Sequence, residues 1–159
     1  MTAQATNKTV TFTRLLDAPP SVVFPLWIEA RHVSKWFAPR HFTVPECTVD
    51  AKVGGEIRLT MRAPDGTDYP MKAVFEELIP NRRIVTRNWA GMDAEGKPGF
   101  ETVQTYTFAA EGDKTRLTVR AEVIWMDERM APAIAGMEPG WEQTLEKLAA
   151  VVAELGSGS

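Results

Sequence analysis

The chain has 159 residues, the usual size of one domain, and a net charge of −3 at neutral pH. This charge gives no electrostatic reason to expect nucleic acid or an anionic membrane as a partner. Hydrophobic residues make up 44% of the chain, which excludes disorder of the whole sequence. Cys47 is the only cysteine, so an intramolecular disulfide is excluded and a cytoplasmic location is predicted.

The two ends of the chain are polar. Residues 1–7 contain no apolar run, so we expect no signal peptide, and no stretch reaches the roughly 18 apolar residues of a membrane span. Residues 156–159 read GSGS, a flexible linker composition, and we interpret them as a remnant of cloning. We therefore predict a single domain over residues 1–155.

The first predicted elements are a strand and two short helices. Residues 8–16 alternate apolar side chains with threonines, the period of a half-buried strand. Apolar residues from Val22 to Trp27 then recur at helical spacing, although Pro25 limits that helix to a short piece. A second short helix is predicted over residues 30–37.

The middle of the chain is predicted to be a series of antiparallel strands. Gly54-Gly55 and the later sequence PDG at 64–66 indicate tight turns between them. Alternation in the last strand predicts that Leu117, Val123 and Trp125 share one face. The predicted strands are residues 42–52, 56–63, 69–79, 83–89, 101–110 and 115–125.

Residues 138–155 are predicted to form one long amphipathic helix. Trp141, Leu145, Leu148 and Val152 recur every three or four residues and form an apolar stripe. Gly140 in the first turn has a helix cost of about 1 kcal/mol relative to alanine, which predicts a close approach of the helix backbone to another group. The order of elements predicts an α+β fold, in which a curved antiparallel sheet of six to seven strands surrounds this helix.

Such a sheet leaves space between its concave face and the helix when the lining residues do not fill it. Side chains that are bulky and apolar, or polar and suited to orienting a ligand, are candidates for the lining. The alternative that these residues only pack the core remains open. The candidate ligand-binding residues are Trp36, Met61, Met71, Phe75, Trp89, Asn88, Gln104, Tyr106, Trp125, Met137 and Trp141.

Several short motifs in a shared order resemble one known family. They are WFAPR at 36–40, TVPEC at 43–47, VGG at 53–55, MRAPDG at 61–66, IPNRRI at 79–84, TRLT at 115–118 and GMEPGW at 136–141. This order is similar to that of the activator-of-heat-shock-protein-ATPase-like branch of the SRPBCC (START/Bet v 1-like) superfamily. The resemblance implies a helix-grip fold with a hydrophobic cavity. It implies little about activity, because the superfamily includes carriers, cyclases and a co-chaperone domain.

Two features depart from the family pattern. His41 stands where related sequences often have glycine or proline, and the segment Ile124-Trp125-Met126 is bulkier than expected. Together with the GSGS tail, these departures are compatible with an engineered variant of a family member.

Candidate catalytic residues are few. His41, Glu46 and Glu101 could act as acids or bases if they lay in the cavity, but each is also explained as a solvated side chain. His32 is expected at the surface, and Cys47 is expected to be a buried, unreactive thiol. The spacing of the histidines gives no metal site, and no cofactor is predicted.

Three hypotheses for function follow. The first is binding of a small hydrophobic or aromatic molecule in the cavity. The second is an enzyme, natural or engineered, with acid/base, cyclase-type or aldol-type chemistry in the same cavity. The third is a chaperone-associated interaction domain. A homodimer is compatible with a small domain of this class, but no residue pattern specifies one.

Overall fold

A computed structural model describes residues 3–5 and 8–157 of the chain. The strands are β1 (Ala3–Ala5), β2 (Thr9–Leu16), β3 (Thr43–Val49), β4 (Glu56–Arg62), β5 (Asp68–Ile79), β6 (Arg83–Ala90), β7 (Phe100–Glu111) and β8 (Lys114–Asp127). All strand pairs are antiparallel and belong to one sheet with the order β1-β8-β7-β6-β5-β4-β3, while β2 also pairs with β8. This arrangement confirms the predicted antiparallel sheet.

The helices occur in two groups, one after β2 and one after β8. They are α1 (Pro20–Val23), a 3₁₀ turn (Phe24–Trp27), α2 (Ala30–Trp36), a second 3₁₀ turn (Glu128–Met130), α3 (Ala131–Ala135) and α4 (Met137–Ser157). The α+β helix-grip architecture with one long C-terminal helix is therefore confirmed. Among the described helices, none is long and apolar enough to span a membrane.

The chain ends take more part in the fold than the sequence indicated. Ala3–Ala5 forms a short strand beside the end of β8, where Ala5 pairs with Trp125. The backbone of α4 continues through Ser157, so the tail predicted as a linker begins inside the helix. The remainder of that tail, residues 158–159, lies outside the described residues, as do residues 1–2 and 6–7.

The core lies between the concave face of the sheet and the helices. The predicted stripe of α4 is buried, and Leu148 and Val152 are fully inaccessible. Trp27 and Trp36 pack against each other with ring centroids 4.8 Å apart. The indole Nε1 of Trp36 donates a 2.8 Å hydrogen bond to the carbonyl of Leu26, which fixes α2 to the preceding turn.

The turn between β3 and β4 requires glycine at two consecutive positions. Gly54 has φ of +84°, a conformation that side chains with a Cβ rarely adopt. A Cβ on Gly55 would lie 2.0 Å from the carbonyl oxygen of Asp50, so no larger residue fits there.

A β-bulge in β8 contradicts one sequence expectation. Glu101 pairs with Trp125, but its neighbour Thr102 pairs with Val123, so Ile124 is an extra residue in the strand. An extra residue reverses the alternation of side chains beyond it. Trp125 therefore lies on the convex face, opposite the buried Val123, and the predicted common face is wrong.

Candidate ligand-binding cavity

A cavity of about 290 Å³, hereafter the outer cavity, lies between the concave face of the sheet and helices α3 and α4. Each of its lining side chains is uncharged. The lining residues are Phe37, Ala38, Pro39, Met61, Met71, Asn88, Ala90, Phe100, Thr102, Gln104, Ala133, Ile134, Gly136, Met137, Gly140, Trp141 and Thr144.

The predicted ligand-binding residues divide into four groups in the structure. Those that line the outer cavity are Met61, Met71, Asn88, Gln104, Met137 and Trp141. Trp36 and Tyr106 lie deeper and line a second space of about 20 Å³, hereafter the inner void. Phe75 is buried in the hydrophobic core and lines neither space. The role of these nine residues in ligand binding remains a prediction.

Trp89 and Trp125 form the fourth group, and their predicted place in the cavity is wrong. Both lie on the convex face, where their indole nitrogens donate hydrogen bonds to one carboxylate oxygen of Glu101 at 2.8 and 3.0 Å. Trp89 directly follows Asn88 in β6, and consecutive strand residues point to opposite faces. The bulge at Ile124 has the same effect on Trp125.

The floor of the outer cavity carries neutral polar side chains from β6 and β7. Asn88 pairs with Thr102 across the two strands, and Thr86 pairs with Gln104. Asn88 Nδ2 donates to Thr86 Oγ1 at 3.0 Å and also to the Thr86 carbonyl at 3.2 Å. Tyr106 donates its hydroxyl proton to Gln104 Oε1 at 2.5 Å.

This network leaves unused hydrogen-bonding capacity on two residues that line the outer cavity. Gln104 Nε2 donates one hydrogen weakly to Thr102 Oγ1 at 3.4 Å, and an amide nitrogen carries two. The Thr102 hydroxyl accepts in that contact and keeps its own proton to donate. An acceptor on a bound molecule could therefore receive a hydrogen bond from either residue.

The titratable group nearest to this floor is Tyr106, and it stays protonated. Burial raises the pKa of Tyr106 far above the ordinary value of 10.0, because the charged form would be desolvated. The phenol therefore acts as a neutral hydrogen-bond donor to Gln104. It does not supply a base at physiological pH.

Two of the three candidate catalytic residues lie at the surface. His41 is exposed in the loop after α2, and its backbone has φ of 71°, the left-handed conformation that favours glycine. Glu46 is exposed on β3, at the edge of the sheet. Neither residue lines the outer cavity.

The third candidate, Glu101, is held on the convex face. Its second carboxylate oxygen accepts a 2.5 Å hydrogen bond from Arg87, which also pairs with Glu76 at 2.9 Å. Burial acts to raise the pKa of Glu101, but hydrogen bonds from Arg87, Trp125 and Trp89 outweigh it and hold the pKa below its usual value. This carboxylate is a structural anion and not a base for the outer cavity.

The other reactive residue types also lie outside the outer cavity. Cys47 is half-buried on β3, and burial raises its pKa, which disfavours the nucleophilic thiolate. His32 is half-buried and not solvated as expected, and burial together with Arg31 lowers its pKa. Within the described part of the chain, no group of three His, Cys, Asp or Glu residues is placed to hold a metal ion.

Several lining residues were missed from the sequence. Phe100 and Thr102 precede Gln104 at even spacing in β7, so strict use of the strand period would have found them. Ala133 and Ile134 belong to α3, a five-residue helix that was not predicted. The segment 37–39 lines the cavity because it follows α2 and faces α4, a placement that no local pattern encodes.

A cavity between a curved antiparallel sheet and one long C-terminal helix defines a helix-grip domain. The family model for Activator of Hsp90 ATPase homolog 1-like protein matches residues 17–153. The chain therefore belongs to this family, which confirms the resemblance seen in the sequence. In general terms, the family is one of ligand-binding domains with an SRPBCC fold.

Solved structures of bacterial proteins share this fold. A protein from Chromobacterium violaceum is 27% identical, with a TM-score of 0.78 and coverage of 91% of this chain and 96% of that chain. A protein from Rhizobium leguminosarum is 22% identical, with a TM-score of 0.83 and coverage of 97% and 99%. The AHSA1 protein from Silicibacter pomeroyi is 20% identical, with a TM-score of 0.78 and coverage of 92% and 98%. No curated protein matches the sequence.

Proposed function

We propose that this chain binds a small, uncharged hydrophobic or aromatic molecule in the outer cavity. The observation that carries this proposal is a space of about 290 Å³ in which every described lining residue is uncharged. Displacement of water from apolar walls favours binding by about 25 cal/mol for each Å² buried. Small-molecule sites commonly start at roughly 300 Å³, so a molecule of one or two rings fits this size.

The neutral lining also sets a limit on ligand charge. A carboxylate or an ammonium group would lose its hydration on entry and find no opposite charge among the lining residues. The amide of Gln104 and the hydroxyl of Thr102 instead suit a single carbonyl or hydroxyl group. Selection against ions is therefore part of the proposal.

The enzymatic alternative lacks a supporting observation in the described residues. Proton transfer requires an acid or base within hydrogen-bond reach of the substrate and with a pKa near the working pH. Tyr106 is the nearest titratable group, and its pKa is raised by burial. The chaperone-associated role rests on the family description alone.

Binding can be tested by isothermal calorimetry and thermal melts with 2-methylnaphthalene, a neutral probe of two rings. We expect the probe to raise the melting temperature with its concentration and to quench emission from Trp141, since Trp141 lines the outer cavity. The matching carboxylate, 2-naphthoate, should not bind measurably.

A pair of variants distinguishes cavity binding from adsorption at the surface. Met137→Trp fills the outer cavity from the first turn of α4 and should abolish binding. Glu142→Trp places the same side chain at an exposed position of α4 and should leave binding unchanged. Equal binding by the two variants would contradict the proposal, as would a lack of binding to the unaltered chain.

A cytoplasmic location and a homodimer remain predictions. The first is supported only by the single cysteine, which stands free on β3. Analytical ultracentrifugation would determine the oligomeric state.

A further inference from the structure

The inner void continues the outer cavity toward the aromatic core. The two spaces share four lining residues, which are Phe37, Met71, Asn88 and Gln104. Met71 has a flexible, unbranched side chain and can change rotamer without movement of the backbone. A group on a molecule in the outer cavity could therefore reach the inner void past this side chain.

Trp27, which lines the inner void, carries an unused hydrogen-bond donor. Trp27 is only 4% exposed, and its indole Nε1 is buried without a partner among the described residues. A polar interaction of this indole N–H with the Tyr106 hydroxyl acts to lower the pKa of the phenol, but the two groups do not meet in the geometry of a full hydrogen bond. A buried donor without an acceptor is rare in folded proteins and energetically unfavourable.

The other tryptophan of the inner void, Trp36, does not have a free indole N–H. Trp36 also lines the inner void, but its indole N–H is already engaged by the carbonyl of Leu26 at 2.8 Å. The free donor of Trp27 therefore belongs to the void and is not a general property of the aromatic cluster.

The chemistry of the remaining walls restricts what can enter. Thr86 and Asn88 hydrogen-bond each other, and oxygen atoms of both retain lone pairs that could accept a further proton. The group that fits best accepts from Trp27 and donates to one of these oxygens, which is the behaviour of a hydroxyl. A space of about 20 Å³ holds one atom the size of a water oxygen. None of the described residues that line it is charged.

We propose that the inner void is an oxygen subsite, in which Trp27 Nε1 donates a hydrogen bond to a hydroxyl group of the ligand. This inference rests on the proposed function, because the rest of the ligand must occupy the outer cavity. It narrows the ligand class to aromatic or alicyclic molecules with one terminal hydroxyl, such as phenols and cyclic alcohols.

The test compares 2-naphthol with 2-methylnaphthalene, two probes of similar shape in which a methyl group replaces the hydroxyl. Trp27→Phe removes the N–H and keeps an aromatic ring. This variant should weaken binding of 2-naphthol about 5- to 10-fold, the equivalent of one neutral hydrogen bond, and leave binding of 2-methylnaphthalene within about twofold.

Trp36→Phe is the matched control, because it makes the same change on the same void at an N–H that is already paired. It should alter the affinities of both probes by a common factor. If Trp27→Phe fails to fold, Thr86→Val removes a hydroxyl from another residue that lines the inner void, at nearly constant volume. It should also weaken 2-naphthol selectively.

The outcomes separate the two proposals. If neither probe binds the unaltered chain, the proposed function itself is wrong. If both probes bind but Trp27→Phe changes their affinities equally, the oxygen subsite is wrong and the cavity proposal stands. A selective loss of 2-naphthol binding in Trp36→Phe as large as that in Trp27→Phe would also overturn the subsite, since packing would then explain the effect.

Discussion

The two faces of strands β6 and β7 use polar residues in opposite ways. On the concave face, Asn88 and Thr102 are neutral and line a cavity. On the convex face, their immediate neighbours Trp89 and Glu101 are joined by a 2.8 Å hydrogen bond beside Arg87. The comparison indicates that a charged cluster can be structural, while the neutral groups that line the outer cavity keep unused hydrogen-bonding capacity.

The physical reason is the state of each group's hydrogen bonds. Glu101 has 14% of its side chain exposed and receives three donors, so its charge is compensated and little capacity is left for a ligand. Gln104 has one accepted bond and one weak donated bond, which leaves a donor for a molecule in the outer cavity. A search for residues with a shifted pKa would have selected Glu101 and therefore the convex face, which does not line the outer cavity.

The largest expected effect concerns the helix that closes the concave face. Leu148 lies on α4 and is fully buried, so Leu148→Ala should lower the free energy of unfolding by about 2–5 kcal/mol. Leu155→Ala makes the same change on the same helix where the side chain is 40% exposed, and it should cost less than about 1 kcal/mol. Urea melts of both variants measure the difference. Similar losses would mean that α4 is not the closing element.

A smaller effect is expected on the convex face. The Glu101 carboxylate pairs with Arg87 and accepts hydrogen bonds from two indoles. Glu101→Gln removes its negative charge and should lower the free energy of unfolding by about 1–3 kcal/mol at pH 7. Binding of 2-methylnaphthalene should be unchanged, because Glu101 does not line the outer cavity. Glu122→Gln, at a more exposed ion pair with Arg120, should change stability by about 0.5 kcal/mol or less.

The contribution of Glu101 to stability depends on pH, because folding lowers the pKa of this carboxyl group. The pKa of Glu101 in the folded chain lies below its ordinary value of 4.5, so ionisation stabilises the fold above pH 4.5. This stabilisation is lost as the pH falls through the folded-state pKa. The stability difference between the unaltered chain and Glu101→Gln should therefore shrink in acid. A difference that grows below pH 4 would contradict the assignment.

The smallest expected effect is at Gly140, where a substitution that stabilises α4 is expected to weaken binding in the outer cavity. A Cβ at this position would meet its nearest neighbour, Pro39 Cγ, at 3.9 Å, an ordinary contact. The close approach expected from the sequence is therefore wrong, and Gly140→Ala should stabilise the chain by about 0.5–1 kcal/mol. Since Gly140 lines the outer cavity, the added methyl should also weaken binding of 2-methylnaphthalene. Paired melts and calorimetry test both parts. A gain in stability without weaker binding would separate Gly140 from the ligand site.

Strand alternation explains both the success and the failure of the site prediction. Asn88 and Trp89 are consecutive in β6, so they cannot both face the cavity, and only Asn88 does. The period of two was sufficient to exclude Trp89. No such rule was available for Trp125, because the bulge at Ile124 depends on pairing between β7 and β8.

The sequence by itself determined the order of the main elements from β2 to α4, the tight turn at Gly54 and the buried stripe of α4. Each of these depends on the spacing of apolar residues or on the backbone freedom of glycine, which are local properties of the chain. Tertiary structure alone decided the pairing of Ala3–Ala5 with β8, the face of Trp125, and the free N–H of Trp27. It also decided that the space beneath α4 is unfilled, because cavity volume is the small difference between the separation of packed elements and the size of the side chains between them.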